Sequence, residues 1–315
     1  MKKNKSKNTF EEKESPSIKF VRGLNNIVDY IVLLIFLLFI IYGSYAMWDN
    51  KQVIFEASSD KYTAYKPSSE SDDNSSFDEL KKLNKEVIAW LDVYGTKIDY
   101  PITHTSNNSK YLSINAKKEP SLAGSLYLDY RNNRKFKDFN NIIYGHHMDG
   151  DAMFGNIDLF NDKEFFDNHK YGNIYFNEKG HGLEFFAFFE VDAYNYKLYN
   201  PNVKGKNEIT QYLSYLNSIA KYSRNINIKA TDQIVLLSTC ENSSTNGRQI
   251  LAAKVSDKEF ENPFIENIEN ENKERVNQQS LIIKILLFLL LIILIILLLW
   301  LLLKRRKKEK EVVEE

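Results

Sequence analysis

Two long apolar runs, residues 27–47 and 281–303 of a 315-residue chain, each with one charged residue near its start (Asp29 and Lys284), restrict what the rest can fold into. Each is long enough to cross a hydrocarbon core of about 30 Å as a helix. Lys2, Lys3, Lys5, Lys7, Lys13, Lys19 and Arg22 precede the first, and Lys304, Arg305, Arg306, Lys307, Lys308 and Lys310 follow the second. Positive charge flanking a span stays cytoplasmic. Both termini are therefore expected inside, with two spans in contact with membrane lipid and residues 48–280 outside the cell membrane. A cleaved signal peptide is the rival reading of the first run, because Gly43, Ser44 and Ala46 are small residues near its end; against it, the run is long for a signal h-region.

The formal charge of the whole chain is zero, but the basic ends hide an imbalance. Residues 48–280 hold 28 Lys and Arg against 34 Asp and Glu. An outer portion of that sign, without a basic stripe interleaved with aromatics, excludes nucleic acid as a partner. One cysteine, Cys240, allows no internal disulfide, so it is either a thiol kept for its reactivity or an inert core residue.

The pattern between the runs divides the chain. Residues 48–75 are rich in Ser, Asp, Lys and Asn, a composition that reads as a stalk. Leu80, Leu83, Val87 and Leu91 then recur at helical spacing, with Ser76 and Glu79 forming a capping box at the start, which predicts a helix over 77–91. Short β-branched and aromatic runs separated by Gly, Asn and Asp predict strands at 97–103, 125–129, 141–144, 183–194, 233–238 and 248–255. Helical stretches are expected at 153–168 and 207–222. Strands without regular alternation with helices predict a mainly β fold, a mostly antiparallel sheet or barrel with peripheral helices. The expected organisation is a basic cytoplasmic segment at 1–26, a span at 27–47, a stalk at 48–75, a catalytic domain at 76–260, a polar tether at 261–280, a span at 281–303 and a basic tail at 304–315.

Three segments carry the residue types of nucleophilic catalysis. Ile234-Val235-Leu236-Leu237 is an apolar strand that ends in Ser238, Thr239 and Cys240. Asn141-Ile142-Ile143-Tyr144 breaks at Gly145 into His146, His147 and Met148, and Arg248 opens the strand after the cysteine. A thiol attacks as thiolate, which an imidazolium or guanidinium nearby favours. The oxyanion formed on attack needs a positive or N–H donor aimed at it. Cys, His and Arg meet both needs, and no zinc-type ligand spacing accompanies them.

Tyr144-Gly145-His146-His147-Met148, then Leu237-Ser238-Thr239-Cys240, then Arg248, in that order, resemble the sortase family. The doubled His before Met, the Ser two before the Cys and Glu241 after it resemble class B, and the likeness extends over residues 77–255. It implies an eight-stranded sortase-type β-barrel with an N-terminal helix and a long helix before the Cys strand. It implies a cysteine transpeptidase without cofactor or metal. Such an enzyme cleaves a C-terminal sorting signal of exported surface proteins, holds the acyl part as a thioester, and passes it to an amine of a cell-wall (peptidoglycan) precursor. Alternatives are a pilin-polymerising sortase whose acceptor amine is a pilin Lys, a hydrolytic cysteine protease and an inert anchored module.

By motif position, Cys240 would be the nucleophile and His146 the acid/base, with His147 its rival because adjacent side chains on extended chain face opposite ways. Arg248 would hold the oxyanion or the substrate backbone, and Glu241 would supply a backbone N–H. Ser238, Tyr144, Asn108 and Leu112 would line the sorting-signal groove. Two features depart from class B: the Cys-to-Arg loop is short, and a C-terminal span is typical of the pilin-polymerising class C.

Overall fold

The computed structural model describes residues 15–67, 75–240 and 246–264, together with residues 284 and 288. The second apolar run and its basic tail otherwise lie outside the described residues. The first run lies in α1 (Pro16–Ala57), the one helix among the described residues that is long and apolar enough to cross a membrane.

Downstream come α2 (Ser75–Leu83), β1 (Val87–Val93), β2 (Asp99–Thr103), β3 (Leu126–Leu128), β4 (Asn140–Tyr144), α3 (Lys163–Asn168), β5 (Tyr171–Phe176), β6 (Lys179–Asp192), α4 (Lys206–Ile219), β7 (Tyr222–Ser223), β8 (Ile234–Cys240) and β9 (Gly247–Ser256). They form one sheet in the order β5-β1-β2-β3-β4-β8-β9-β6-β7, and a further β5–β6 pairing closes it. Eight strands thus make a ring, with the two-residue β7 hung on the outside of β6. Pairings are antiparallel except β2–β3 and β4–β8. The long β6 makes closure geometrically simple: its first half pairs with β5, while most of its length pairs with β9.

Two apolar clusters hold the ring together. One fills the barrel and takes Val235, Leu237, Leu251 and Ala253; the other lies under α4 and takes Ile234, Leu236, Ile250 and Ala252. Alternate residues of β8 and β9 therefore bury against opposite layers. This explains why β8 reads as a continuous apolar run rather than an alternating one. Leu236 is fully buried beneath α4. Leu236→Ala is expected to cost about 2–5 kcal/mol, measured as a lowered urea midpoint at unchanged m-value.

The structure differs from the sequence reading most at two places. The helix expected over 77–91 stops at Leu83, and Val87–Val93 is a strand paired with both β2 and β5. Leu83 is more than half exposed, so the apparent stripe does not exist. The chain turns there because the Asn84 side chain accepts from the Glu86 N–H while donating to the Ala116 carbonyl and Tyr111 hydroxyl. The segment read as a stalk is also structured through residue 67. It continues α1 to Ala57, passes through a 3-10 turn (Ser59–Tyr65), and buries Ala57 and Tyr62 against the barrel. Lys66 then pairs with Asp92 at 2.7 Å and Asp99 at 2.8 Å. Few apolar residues suffice because they sit where the polar partners converge.

Candidate active site

Strand register brings the three chemistry-bearing segments to one end of the barrel. β4 runs parallel to β8 with Tyr144 opposite Ser238, and the Gly145 N–H donates to the Ser238 carbonyl at 3.2 Å. Two residues beyond that last pair stand His146 on one strand and Cys240 on the other. β9 lies antiparallel on the far side of β8 with Arg248 opposite Cys240. Position 145 must be glycine for this approach: a Cβ there would come within 2.4 Å of Leu126 and 2.8 Å of Phe154.

A groove of about 660 Å³ opens beside these strand ends, and its lining includes Asn108, Leu112, Tyr144, His146, Ser238 and Arg248. Six of the eight sequence-derived positions therefore share one surface. Cys240 is placed by its backbone pairing, and Glu241 lies outside the described residues.

The two adjacent histidines part company. The Nε2–H of His146 donates to the Leu112 carbonyl at 2.8 Å, which fixes the tautomer and leaves Nδ1 as the nitrogen able to take a proton. His147 turns away from the groove, and its Nε2–H donates to Asp158 at 2.6 Å. Opposite the cysteine, the Arg248 guanidinium gives one Nη1 proton to the Gly247 carbonyl at 2.8 Å. A guanidinium has five donors in a planar fork, so it can do this and still address a ligand.

Beneath the groove lies a network that sequence reasoning missed. Asp129, fully buried, receives Arg131 on both oxygens at 2.9 and 2.8 Å, the Tyr144 hydroxyl at 3.1 Å and the Asn108 amide at 3.3 Å. Arg131 also donates to the Tyr199 carbonyl at 3.1 Å, and the Tyr199 hydroxyl shares a 2.9 Å hydrogen bond with Ser238. The rings of Tyr144 and Tyr199 stack at 6.0 Å. A carboxylate and a guanidinium two residues apart after a strand were the available signal; nothing local in the sequence announced Tyr199.

Burial pushes the Asp129 carboxyl up, but hydrogen bonds and charge from Arg131 outweigh it and hold the group below the ordinary carboxylate range. Burial, then the charge of Asp129, pushes the Tyr144 phenol up, so it stays a neutral donor. A depressed carboxylate contributes stability above its unfolded pKa of about 4, and loses it as pH falls through the folded value. Asp129→Asn is expected to cost about 2 kcal/mol at neutral pH and to flatten the loss of stability below about pH 4. Thermal melts of both proteins from pH 6 to pH 3 check this, and parallel acid limbs would contradict it.

A thiol position flanked on one side by a tautomer-fixed imidazole and on the other by a guanidinium is equipped for acyl transfer. No family model matches the chain. Sortase B of Listeria monocytogenes is 35% identical over 184 residues, covering 56% of this chain and 72% of that protein. This chain belongs to the class B sortases. Among solved sortases, one from the type II pilus of Streptococcus pneumoniae is 45% identical, with a TM-score of 0.51 over 57% of this chain and 98% of that one. A Streptococcus pyogenes class B sortase involved in pilus biogenesis is 38% identical, with a TM-score of 0.52 over 57% and 97%.

As a class B sortase the chain is a cysteine transpeptidase, and Cys240 is its single cysteine. The eight-stranded barrel ring matches the fold of solved class B sortases. The strand register adds to the barrel a juxtaposition of residue types: Cys240 ends β8, Arg248 pairs with it on β9, and His146 follows the end of β4.

Proposed function

We propose that this sortase cleaves a sorting signal of exported proteins at the groove, with Cys240 as nucleophile, His146 as acid/base and Arg248 as the group facing the developing oxyanion or the substrate backbone. The observation that carries this is the β4–β8–β9 register, which sets His146 and Arg248 on either side of the Cys240 backbone.

The Cys240 thiolate attacks the scissile carbonyl. Collapse of the tetrahedral adduct expels the amine, which takes a proton from the imidazolium, and leaves a thioester. An incoming amine then loses a proton to the same imidazole as it attacks the thioester, and the new amide leaves with Cys240 regenerated as thiolate. Ser238, Tyr144, Asn108 and Leu112 hold the signal, with Tyr144 and Asn108 stiffened by Asp129. Glu241 lends a backbone N–H to the oxyanion. The apolar α1 anchors the domain to the outer face of the cell membrane, the second apolar run provides another span, and both termini are cytoplasmic.

The acceptor is an amine of a cell-wall precursor, which makes a surface protein fixed to the wall. A second reading, joining pilin subunits through a Lys, is favoured by the pilus association of the 45% and 38% identical sortases. The test mixes the detergent-solubilised full chain with sorting-signal peptides and either a wall-precursor peptide amine or a Lys peptide, read by mass spectrometry. An amide product with the first amine supports wall anchoring, and one with the second alone supports polymerisation. Hydrolysis without amide formation from either would sink the transpeptidase reading of this site.

A further inference from the structure

The loop that carries His146 is a clasp closed by strained backbone. His147 forms an isolated β-bridge with Met153, and the Phe154 N–H donates to the His146 carbonyl at 3.0 Å. Between them Gly150, Asp151 and Met153 all take positive φ, at 73°, 65° and 53°. Left-handed backbone at a buried methionine persists only where its surroundings over-determine it. Met153 is 2% exposed.

A phenol two strands away holds it. The Met153 N–H donates to the Tyr100 hydroxyl at 3.0 Å, and that hydroxyl donates to the Ala57 carbonyl, the last residue of α1, at 2.8 Å. Tyr100 is itself on β2, buried, and its ring packs edge-on to Tyr62 of the 3-10 turn after α1. Ile54 of α1 reaches the same clasp: a Cβ added at Gly150 would lie 3.1 Å from its side chain. One hydroxyl thus receives from the histidine clasp and gives to the end of the membrane-proximal helix.

We infer that Tyr100 is a positioning residue for the reaction: its hydroxyl pins Met153, and through the clasp the backbone of His146, to the C-terminal end of α1, so that the anchor helix forms part of the support of the acid/base group. This rests on the reading of His146 as acid/base. A tyrosine whose only task was packing would need no hydroxyl, and phenylalanine would replace it without effect on turnover. A pin makes a different prediction, because loosening the clasp by a fraction of an ångström misaligns proton transfer at His146 while the rest of the groove lining, Asn108, Tyr144, Ser238 and Arg248, stays in place.

The test compares full-length wild type, Tyr100→Phe and His146→Ala in detergent, by steady-state transpeptidation and by hydrogen exchange. Tyr100→Phe is expected to lower kcat about tenfold with KM within about twofold. Amide exchange is expected to accelerate in residues 146–154 while β8 and β9 keep wild-type protection. Wild-type kcat in Tyr100→Phe overturns the proposal. So does exchange accelerated throughout the barrel, or a chain that fails to fold, either of which makes Tyr100 a structural residue only. If instead His146→Ala retains turnover, the acid/base reading fails, and the pin falls with it as a catalytic device whatever the exchange pattern; an inactive His146→Ala beside an unaffected Tyr100→Phe removes the pin alone.

Discussion

Replacing Cys240 with alanine is expected to remove the thioester adduct from the mass spectrum and, with it, both amide and hydrolysis products. Loss of a covalent nucleophile in an enzyme whose groups act as a unit costs on the order of a million-fold in kcat, which here means no product above background. The reason is chemical rather than structural. Cys240 is the last residue of β8, past the alternating apolar residues that hold the strand in the two clusters. The strand is held by Ile234, Val235, Leu236 and Leu237, which the substitution leaves in place, so Cys240→Ala should unfold at the wild-type urea midpoint within about 0.5 kcal/mol. Peptide binding should survive as well, because His146, Arg248, Tyr144 and Ser238 line the groove independently of the thiol. An alanine protein that still built thioester mass or amide product would place the nucleophile elsewhere, and the chain has no second cysteine to offer.

The parts of this site that were legible in the sequence share one physical property: they sit where an apolar strand ends. A run such as Ile234 to Leu237 is conspicuous because both of its faces are buried, and its break into Ser, Thr and Cys marks the rim of the barrel. The break of β4 at Gly145 is conspicuous for the same reason. Less legible was β1, whose Val87 and Leu91 happen to continue a helical spacing from Leu80 and Leu83; Ile88 and Trp90 on its less buried face are apolar too, so its sequence shows little alternation. β5 escaped notice because Gly172 and Asn173 sit inside it, two residues that ordinarily break strands. Gly172 is tolerated there because a Cβ would come within 2.5 Å of the Asp92 carbonyl on the neighbouring strand. The Asp129, Arg131, Tyr144, Tyr199 and Ser238 network could not be read at all, since its members come from segments up to 109 residues apart and only closure of the sheet joins them. The tie between α1 and the histidine clasp is hidden for the same reason: a phenol on β2 supplies it.

Exchanging Arg248 for lysine keeps the charge, and it is expected to lower kcat/KM by about 100- to 1000-fold. Arg248 opens β9 directly across from Cys240, and its fork already gives one proton to its own neighbour's carbonyl. The remaining donors of a guanidinium are coplanar and fixed in direction, so one side chain can be braced by Gly247 and still face a developing oxyanion. An ammonium on a flexible stem offers three rotatable donors around a point, and bracing it against Gly247 would turn it away from the groove. The way the loss divides between kcat and KM decides between the two roles open to this residue. If the guanidinium meets the oxyanion, its contribution exists only in the transition state, and kcat should fall with kcat/KM while KM stays near wild type. If it holds the substrate backbone, ground state and transition state lose equally, so KM should rise and kcat should hold. Single-turnover thioester formation separates chemistry from product release in either case. An Arg248→Lys protein with wild-type kcat/KM would remove Arg248 from the site altogether and leave backbone N–H groups as the oxyanion's donors.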